Sequence, residues 1–118
     1  MEASTADCLF CKIVAKEVPA TVVRETGTAL AFRDINPQAP THVLVIPKEH
    51  HPTAAELAAA SPALLADVVT LAAEVAAEDG VDETGYRIVF NTGPHAGQTV
   101  FHVHAHVLGG RGLEWPPG

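Results

Sequence analysis

Short runs of β-branched and apolar residues, separated by glycine and proline, occupy both ends of the chain and predict strands. The five predicted strands cover residues 21–26, 28–35, 41–47, 86–91 and 100–108. Only Gly27 separates the first two, which predicts a hairpin. A loop with two prolines, residues 36–40, separates this hairpin from the third strand.

The segment between the third and fourth strands follows a helical pattern. Its apolar residues recur at intervals of three and four, which predicts one buried stripe on a long helix. The stripe consists of Leu64, Val68, Leu71 and Val75. Ser61 and Pro62 suit the N-cap and first helical positions, and Gly80 suits the end of the helix. A short helix that contains Glu56 and Leu57 is expected before Ser61.

Together these elements predict an α+β fold, an antiparallel sheet of about five strands with one long and one short helix. The 118 residues are enough for one domain with a hydrophobic core and too few for two. We therefore assign residues 1–118 to a single domain. Residues 1–6 are expected to be disordered, and residues 111–118 form a tail that docks on another surface through the only tryptophan.

Charge and hydropathy exclude several classes of partner. Between Glu49 and Tyr86 the chain has eight acidic residues and no lysine or arginine, which argues against a nucleic-acid surface. No apolar run approaches the roughly 18 residues of a membrane span, and the N-terminus lacks signal-peptide features. We expect a cytoplasmic protein, in which two cysteines form no structural disulfide.

The most unusual pattern is a row of alternating histidines, His102, His104 and His106. On a strand these three would share one face, which is too uniform for an ordinary solvent face. The outer two would start about 13 Å apart, so two neighbouring histidines can share one metal ion but all three cannot easily do so. Imidazole is a nucleophile and proton carrier near neutral pH, so the row favours attack at phosphorus.

A glycine-rich connection, residues 92–98, lies directly before this row. Gly97, Gln98 and Thr99 offer backbone N–H groups, and Thr99 adds a hydroxyl. Such donors stabilise phosphoryl oxygens. The alternative is an ordinary turn, and only the position beside the histidines favours the first interpretation.

Four segments give the sequence a resemblance to a known family. They are "DCLFCKIVAKEVPA", "AFRDINPQAPTHVLVIPKEH", "NTGPHAGQTVFHVHAHVLGGR" and "EWPPG". In this order they resemble the histidine triad nucleotide-binding proteins of the Hint branch, from about Asp7 to Gly118. The resemblance implies homodimers with one continuous sheet, and an enzyme that cleaves the P–N bond of purine nucleoside 5′-phosphoramidates to give the nucleoside monophosphate.

The same resemblance implies roles for the histidines and their neighbours. His104 would be the nucleophile that forms a nucleotidyl-histidine, His106 would bind a phosphate oxygen, and His102 would position His104. Thr99 joins this catalytic set. The implied nucleotide-binding residues are Leu9, Phe10, Phe32 and Ile35 at the base, Asp34 at the ribose, Asn91, Gly97, Gln98 and Thr99 at the phosphate, and Trp115 from the tail of the other subunit. Asp34 fits a turn before the proline loop equally well.

Cys8 and Cys11 form a C-x-x-C pair, which by itself indicates either a redox or a metal role. The resemblance implies structural Zn²⁺ bound by Cys8, Cys11, His50 and His102, a closed Cys₂His₂ set. His51 competes with His50, and the alternative is a pair of reduced thiols without metal. We expect neither a redox cofactor nor a catalytic metal.

Three other functions remain open. The histidine row also suits a dinucleoside polyphosphate hydrolase, a nucleotide-binding regulatory protein whose turnover is incidental, or a histidine-ligated metalloenzyme. His42, at a strand start, and His95, in the glycine-rich loop, are expected to lie outside the catalytic set.

Overall fold

A computed structural model describes residues 5–118. Its strands are β1 (Val22–Glu25), β2 (Ala29–Arg33), β3 (Thr41–Pro47), β4 (Tyr86–Phe90) and β5 (Ala105–Gly109). Its α-helices are α1 (Leu9–Val14), α2 (Ala54–Ala60) and α3 (Pro62–Glu78). Single turns of 3₁₀-helix cover Thr5–Asp7 and Pro94–Ala96. The prediction of disorder for residues 1–6 concerns mainly residues 1–4, which lie outside the described part.

The five strands form one antiparallel sheet in the order β1-β2-β3-β5-β4, so the predicted α+β fold is confirmed. β3 is the central strand, and all seven of its residues are buried, as expected for a strand covered on both faces. It pairs with β2 on one side and with β5 on the other. The two edges of the sheet are β1 and β4.

The long helix α3 covers one face of the sheet, as its stripe predicts. The Ser61 hydroxyl caps its N-terminus by accepting a hydrogen bond from the Leu64 amide, with 3.2 Å between nitrogen and oxygen. Pro62 is the first helical residue. Gly80 follows the C-cap with a φ of 75°, a conformation that glycine adopts without strain. The predicted stripe is buried against alternate residues of the sheet, among them Ala29, Val43, Ala105 and Val107.

The opposite face carries α1, a helix that the sequence pattern does not predict. It is only six residues long, too short for the apolar periodicity to register. Its N-cap is Cys8, whose sulfur accepts the Cys11 amide at 3.4 Å, and cysteine is not a typical N-cap residue. Phe10 and Ile13 of α1 are buried against the second face of the sheet, which places the C-x-x-C pair close to that face.

The last strand begins five residues later than predicted, at Ala105 in place of Val100. The ladder with β3 reaches its end at the Val45–Ala105 pair. Beyond it the backbone of the histidine segment bonds elsewhere, since Val103 donates its amide to the His51 carbonyl at 2.7 Å. Pro47, which has no amide hydrogen, ends β3.

The C-terminal tail is held by two arginines. Arg111 donates Nε and Nη2 to the Gln38 carbonyl at 3.1 and 3.0 Å, and Arg87 of β4 donates to the Glu114 carbonyl. Trp115 is nevertheless 82% exposed. None of the helices within residues 5–118 has the length and apolar character needed to cross a membrane.

A close backbone approach at the end of β5 gives a stability prediction. Gly109 pairs with Thr41 and Tyr86, and a Cβ placed on it would lie 2.9 Å from Cβ of the buried Val81. Gly109→Ala should therefore lower the free energy of unfolding by about 1–3 kcal/mol, measured by urea denaturation. Gly112→Ala is the matched control, because nothing lies within 4 Å of its Cβ position. Equal stability of the two variants would contradict the prediction.

Candidate functional site

The three histidines of the row lie on the α1 side of the sheet. Val103, Ala105 and Val107 belong to the core under α3, so the alternation continues through the segment that precedes β5. The rings of His104 and His106 are 4.9 Å apart between centroids, and the Phe10 ring lies 5.1 Å from that of His104. The row therefore forms one surface beside α1, although only His106 belongs to a regular strand.

The hydrogen bond of His104 fixes its tautomer. Nδ1 lies 2.9 Å from the His102 carbonyl, which only accepts, so Nδ1 carries the hydrogen. In the neutral ring the lone pair is then on Nε2. Burial lowers the pKa of His104, so the ring is neutral at pH 7. His104 thus has a main-chain anchor and an unprotonated nitrogen, Nε2, without a hydrogen-bond partner among residues 5–118, which is the arrangement that a nucleophile needs.

A chain of bonds also fixes the tautomer of His106. The Gln38 amide donates to His42 Nδ1 at 3.0 Å, so the hydrogen of neutral His42 is on Nε2. His42 Nε2 donates to His106 Nδ1 at 2.9 Å, which leaves the hydrogen of His106 on its own Nε2. Burial, with the neighbouring His104 and His42, lowers the pKa of His106 to about 4. His106 is therefore a neutral ring with an N–H donor.

The Asp34 side chain makes a turn contact and also lies close to the histidines. Its Oδ1 accepts the Asn36 amide at 2.8 Å, the bond of a side chain that starts a turn. Its Oδ2 lies 3.5 Å from Nε2 of His42, close to the histidine chain. Burial lowers the pKa of His42, and the Asp34 carboxylate acts in the opposite direction.

An apolar cavity of about 170 Å³ opens between α1 and the end of β2. The expected base-binding residues Leu9, Phe10, Phe32 and Ile35 all line it, together with Asp34. Further walls come from Ile13, Val18, Pro19, Ala20, Arg33 and Leu44. Because Phe10 also contacts the ring of His104, the cavity adjoins the histidine row. A larger groove of about 440 Å³ lies between Gly27 and the start of α3, and no histidine or cysteine lines it.

The glycine-rich loop is braced from within. The buried Gln98 side chain donates to the carbonyls of Pro52 and Val100 and accepts the Gly93 amide. The amides of Gly97 and Gln98 donate to Pro94 and Gly93. Of the three expected phosphate donors, only Thr99 has an amide and a hydroxyl without a partner among residues 5–118. Asn91 lies at the start of this loop and is partly buried.

Cys8, Cys11, His50 and His102 form a compact cluster, with four ligand atoms within 4.8 Å of one another. Both sulfurs are 3.5 Å from His102 Nδ1, and Cys11 Sγ is 3.4 Å from His50 Nδ1. Bond lengths for tetrahedral zinc require sulfur–nitrogen separations of about 3.5 Å. The cluster thus has the spacing of a Cys₂His₂ site.

The protonation states of the cluster also fit a metal ion. His102 Nε2 donates to the Pro47 carbonyl at 2.8 Å, so the lone pair on Nδ1 points toward the two sulfurs. Burial lowers the pKa of His102 to about 4, and the ring is neutral at pH 7. Burial raises the pKa of Cys11 to about 11, and a cation between the thiols opposes that effect. His50 Nε2 is buried without a partner among the described residues.

Comparison with known proteins identifies the family. The model of the HIT domain family matches residues 15–113. This chain belongs to the HIT domain family. It is 44% identical over 107 residues to the purine nucleoside phosphoramidase of Escherichia coli K12, which covers 91% of this chain and 90% of that protein. It is 49% identical over 113 residues to a 14 kDa zinc-binding protein of Zea mays, over 93% and 87% of the two chains.

A solved HIT family structure has the same fold. The HIT family hydrolase from Legionella pneumophila Philadelphia 1 superposes with a TM-score of 0.91 at 52% identity, over 95% of this chain and 100% of that chain. The HIT domain assignment agrees with the resemblance that the histidine motif carries, and solved relatives of this chain are named as hydrolases.

One candidate residue of this HIT domain is missing from the sequence prediction. His42 was expected to lie outside the catalytic set, yet it bonds directly to His106. The position of His42 on β3 predicts that its side chain lies on the same face of the sheet as Leu44 and Ile46. The sequence does not predict that His106 is its partner, because that contact depends on the pairing of β3 with β5. Asp34, His42 and His106 also lie close enough to hold a metal ion, but the bonds from the Asp34 amide to the His42 carbonyl and from His42 to His106 already account for that proximity.

Of the remaining histidines, one belongs to the cysteine cluster and two lie outside it. His50 joins the cysteine cluster, whereas the side chain of His51, its competitor, lies 2.7 Å from Glu49 Oε1. His95 is exposed in the 3₁₀ turn before Gly97.

Proposed function

We propose that the protein is a hydrolase that cleaves the P–N bond of purine nucleoside 5′-phosphoramidates and releases the nucleoside monophosphate. The observation that carries this proposal is the tautomer of His104. Its Nδ1 is committed to the His102 carbonyl, and its neutral Nε2 is free to attack beside an apolar cavity. The phosphoramidase of E. coli supports the choice of reaction at 44% identity.

The reaction would proceed in two displacements at phosphorus. His104 Nε2 attacks the α-phosphorus and forms a nucleotidyl-histidine, while the P–N bond of the substrate breaks and the amine leaves with a proton taken from water. Water then attacks the same phosphorus and gives its proton to the hydroxide left by the first step, while the bond to Nε2 breaks and His104 is regenerated. Developing charge on the phosphoryl oxygens is met by the Nε2–H of His106 and by the amide and hydroxyl of Thr99.

The cavity would hold the nucleoside. Its apolar walls suit a flat purine ring, with Phe10 and Phe32 as the buried aromatic residues. Asp34 at the end of β2 would accept the ribose hydroxyls, since an ionised carboxylate offers up to four acceptor positions. Asn91 and the loop with Gly97 and Gln98 would border the phosphate, with Gln98 as a brace.

A structural zinc ion is part of this proposal. Cys8, Cys11, His50 and His102 would hold it, and when bound it would close the α1 end of the molecule as a four-coordinate site with no open position. The zinc-binding protein of Zea mays supports the choice of metal. Reduced thiols of this kind persist in a reducing compartment, which supports a cytoplasmic location.

We also propose a homodimer joined along β4. This strand is an edge of the sheet, its five residues are partly exposed, and its unpaired backbone groups form a template for a second copy. The tail beside β4 presents an exposed Trp115, which would approach the nucleotide cavity of the partner subunit.

The substrate class is tested by comparing turnover of two adenosine compounds. We expect the purified protein to hydrolyse adenosine 5′-phosphoramidate with a kcat/KM at least roughly tenfold above that for a dinucleoside polyphosphate, measured by chromatographic detection of AMP. The reverse order would favour the dinucleoside polyphosphate hydrolase. Binding of AMP with turnover of neither compound would favour a regulatory nucleotide-binding protein. Unchanged rates in a chelator would count against a histidine-ligated metalloenzyme.

A further inference from the structure

The residue that follows α3, Asp79, ties together the ends of two strands. Its carboxylate accepts two bonds from the guanidinium of Arg33, at 2.6 and 2.9 Å, and one from the Thr41 hydroxyl at 2.9 Å. Arg33 is the last residue of β2, and Thr41 is the first residue of β3. One partly buried side chain on the α3 face thus spans the gap between the two neighbouring strands.

Each strand residue held by Asp79 is followed by a residue of the candidate site. Arg33 precedes Asp34, and Thr41 precedes His42, so the side chains of the second pair point to the opposite face. There the two are directly linked. The Asp34 amide donates to the His42 carbonyl at 3.0 Å, and Asp34 Oδ2 lies 3.5 Å from His42 Nε2. The bond from His42 to His106 continues this chain of contacts.

We propose that Asp79 is a positioning residue, which acts through Arg33 and Thr41 from the far face of the sheet to set the spacing of Asp34 and His42. Through His42 it also keeps the hydrogen of His106 on Nε2. This positioning role rests on the proposed function, in which Asp34 and His106 bind the nucleotide. Asp79 itself lines neither the cavity nor the histidine row, whereas Arg33 lines the cavity and donates its guanidinium to Asp79.

A neighbouring ion pair provides a control that distinguishes this positioning role from a general contribution to stability. Glu78, the last residue of α3, accepts a bond from Arg24 of β1 at 3.0 Å. This pair also connects the end of α3 to a strand, but β1 is an edge strand and Arg24 adjoins no residue of the site. Glu78→Gln therefore removes a single, more exposed contact between the end of α3 and a strand, which involves neither Arg33 nor Thr41, and serves as the control for Asp79→Asn.

The first measurement needs no nucleotide. In the free protein, ¹⁵N NMR of the imidazole nitrogens reports which nitrogen of His42 and His106 carries hydrogen. Asp79→Asn should shift both His42 Nε2 and His106 Nδ1 away from the wild-type donor and acceptor values. Glu78→Gln should leave both unchanged. Wild-type tautomers in Asp79→Asn, or equal shifts in both variants, would overturn the proposal.

The second measurement is AMP affinity by calorimetry. Asp79→Asn should weaken binding by roughly tenfold, and Glu78→Gln by less than about twofold. In an Arg33→Gln background the further effect of Asp79→Asn should largely disappear, since the two side chains act as one unit. Additive losses in the double variant would contradict the proposal.

The proposal stays testable if Asp79→Asn does not fold and if the wild type does not bind nucleotide. If Asp79→Asn fails to fold, Arg33→Lys replaces it, because lysine keeps the charge and loses the two-pronged bond. The same tautomer shift is then expected, and its absence overturns the role of Asp79. If the wild type neither binds AMP nor hydrolyses the phosphoramidate, the proposed function fails, and the NMR comparison still decides the positioning role.

Discussion

His104→Ala should lower kcat/KM for adenosine 5′-phosphoramidate by at least roughly 10⁴-fold. The variant loses the only group that the proposed reaction uses to form a covalent bond, and loss of a nucleophile has effects of this order in other hydrolases. A steady-state assay of AMP release measures the change. His95→Ala is the histidine control, because its side chain is exposed in the 3₁₀ turn, and its rate should match the wild type.

The covalent intermediate gives an independent check on His104. Acid quenching of the wild type during turnover should give an intact-protein mass increased by one nucleotidyl group, and the adduct should be absent from His104→Ala. Undiminished turnover in His104→Ala, or an adduct on that variant, would exclude His104 as the nucleophile. Thermal unfolding of the variant near the wild-type temperature would show that a lost rate is chemical and not a loss of fold.

Zinc should be bound at one ion per chain, and Cys8→Ser should remove it. The structural reason is the sulfur–nitrogen spacing of 3.4 to 3.5 Å, which leaves a tetrahedral position between four ligand atoms. Elemental analysis of purified protein measures the content. At a free zinc concentration 100-fold above the dissociation constant, the ion stabilises the folded chain by about 2.7 kcal/mol. A chelator should therefore lower the unfolding temperature of the wild type and leave that of Cys8→Ser unchanged.

Adjacent histidines provide the control for the metal prediction. His50→Gln should lose zinc, whereas His51→Gln should retain it, because the His51 side chain pairs with Glu49 outside the cluster. Zinc loss in both variants would mean a general disruption of this segment. Wild-type protein purified from zinc-supplemented medium without the metal would end the zinc proposal.

The sequence predicts the parts of the fold that depend on local pattern. The stripe from Leu64 to Val75, the cap at Ser61 and the full length of β3 follow from apolar spacing and from capping residues. Helix α1 does not, because six residues are too few for a period and a cysteine begins it. The late start of β5 also escapes prediction, since it depends on a bond between Val103 and a distant carbonyl, that of His51.

In the candidate site, too, the features that follow from local pattern are predicted and those that depend on distant contacts are not. Alternation alone predicts that His102, His104 and His106 share a face, and C-x-x-C alone indicates a metal or redox role. The bond from His42 to His106 and the contacts of Asp79 join residues 64 and 38 to 46 positions apart. Such contacts depend on strand order and register, and a single sequence contains no local signal for either.

The bond that orients His104 ends on the main chain of His102, whereas the ring of His102 faces the cysteines. A substitution at position 102 would therefore remove a ligand of the proposed zinc ion and leave the carbonyl in place. The proposed metal binding and the orientation of the proposed nucleophile involve the same residue but depend on different atoms of it. Loss of the Cys8, Cys11 or His102 side chain, and of any ion that they hold, would therefore leave the main-chain anchor of His104 in place.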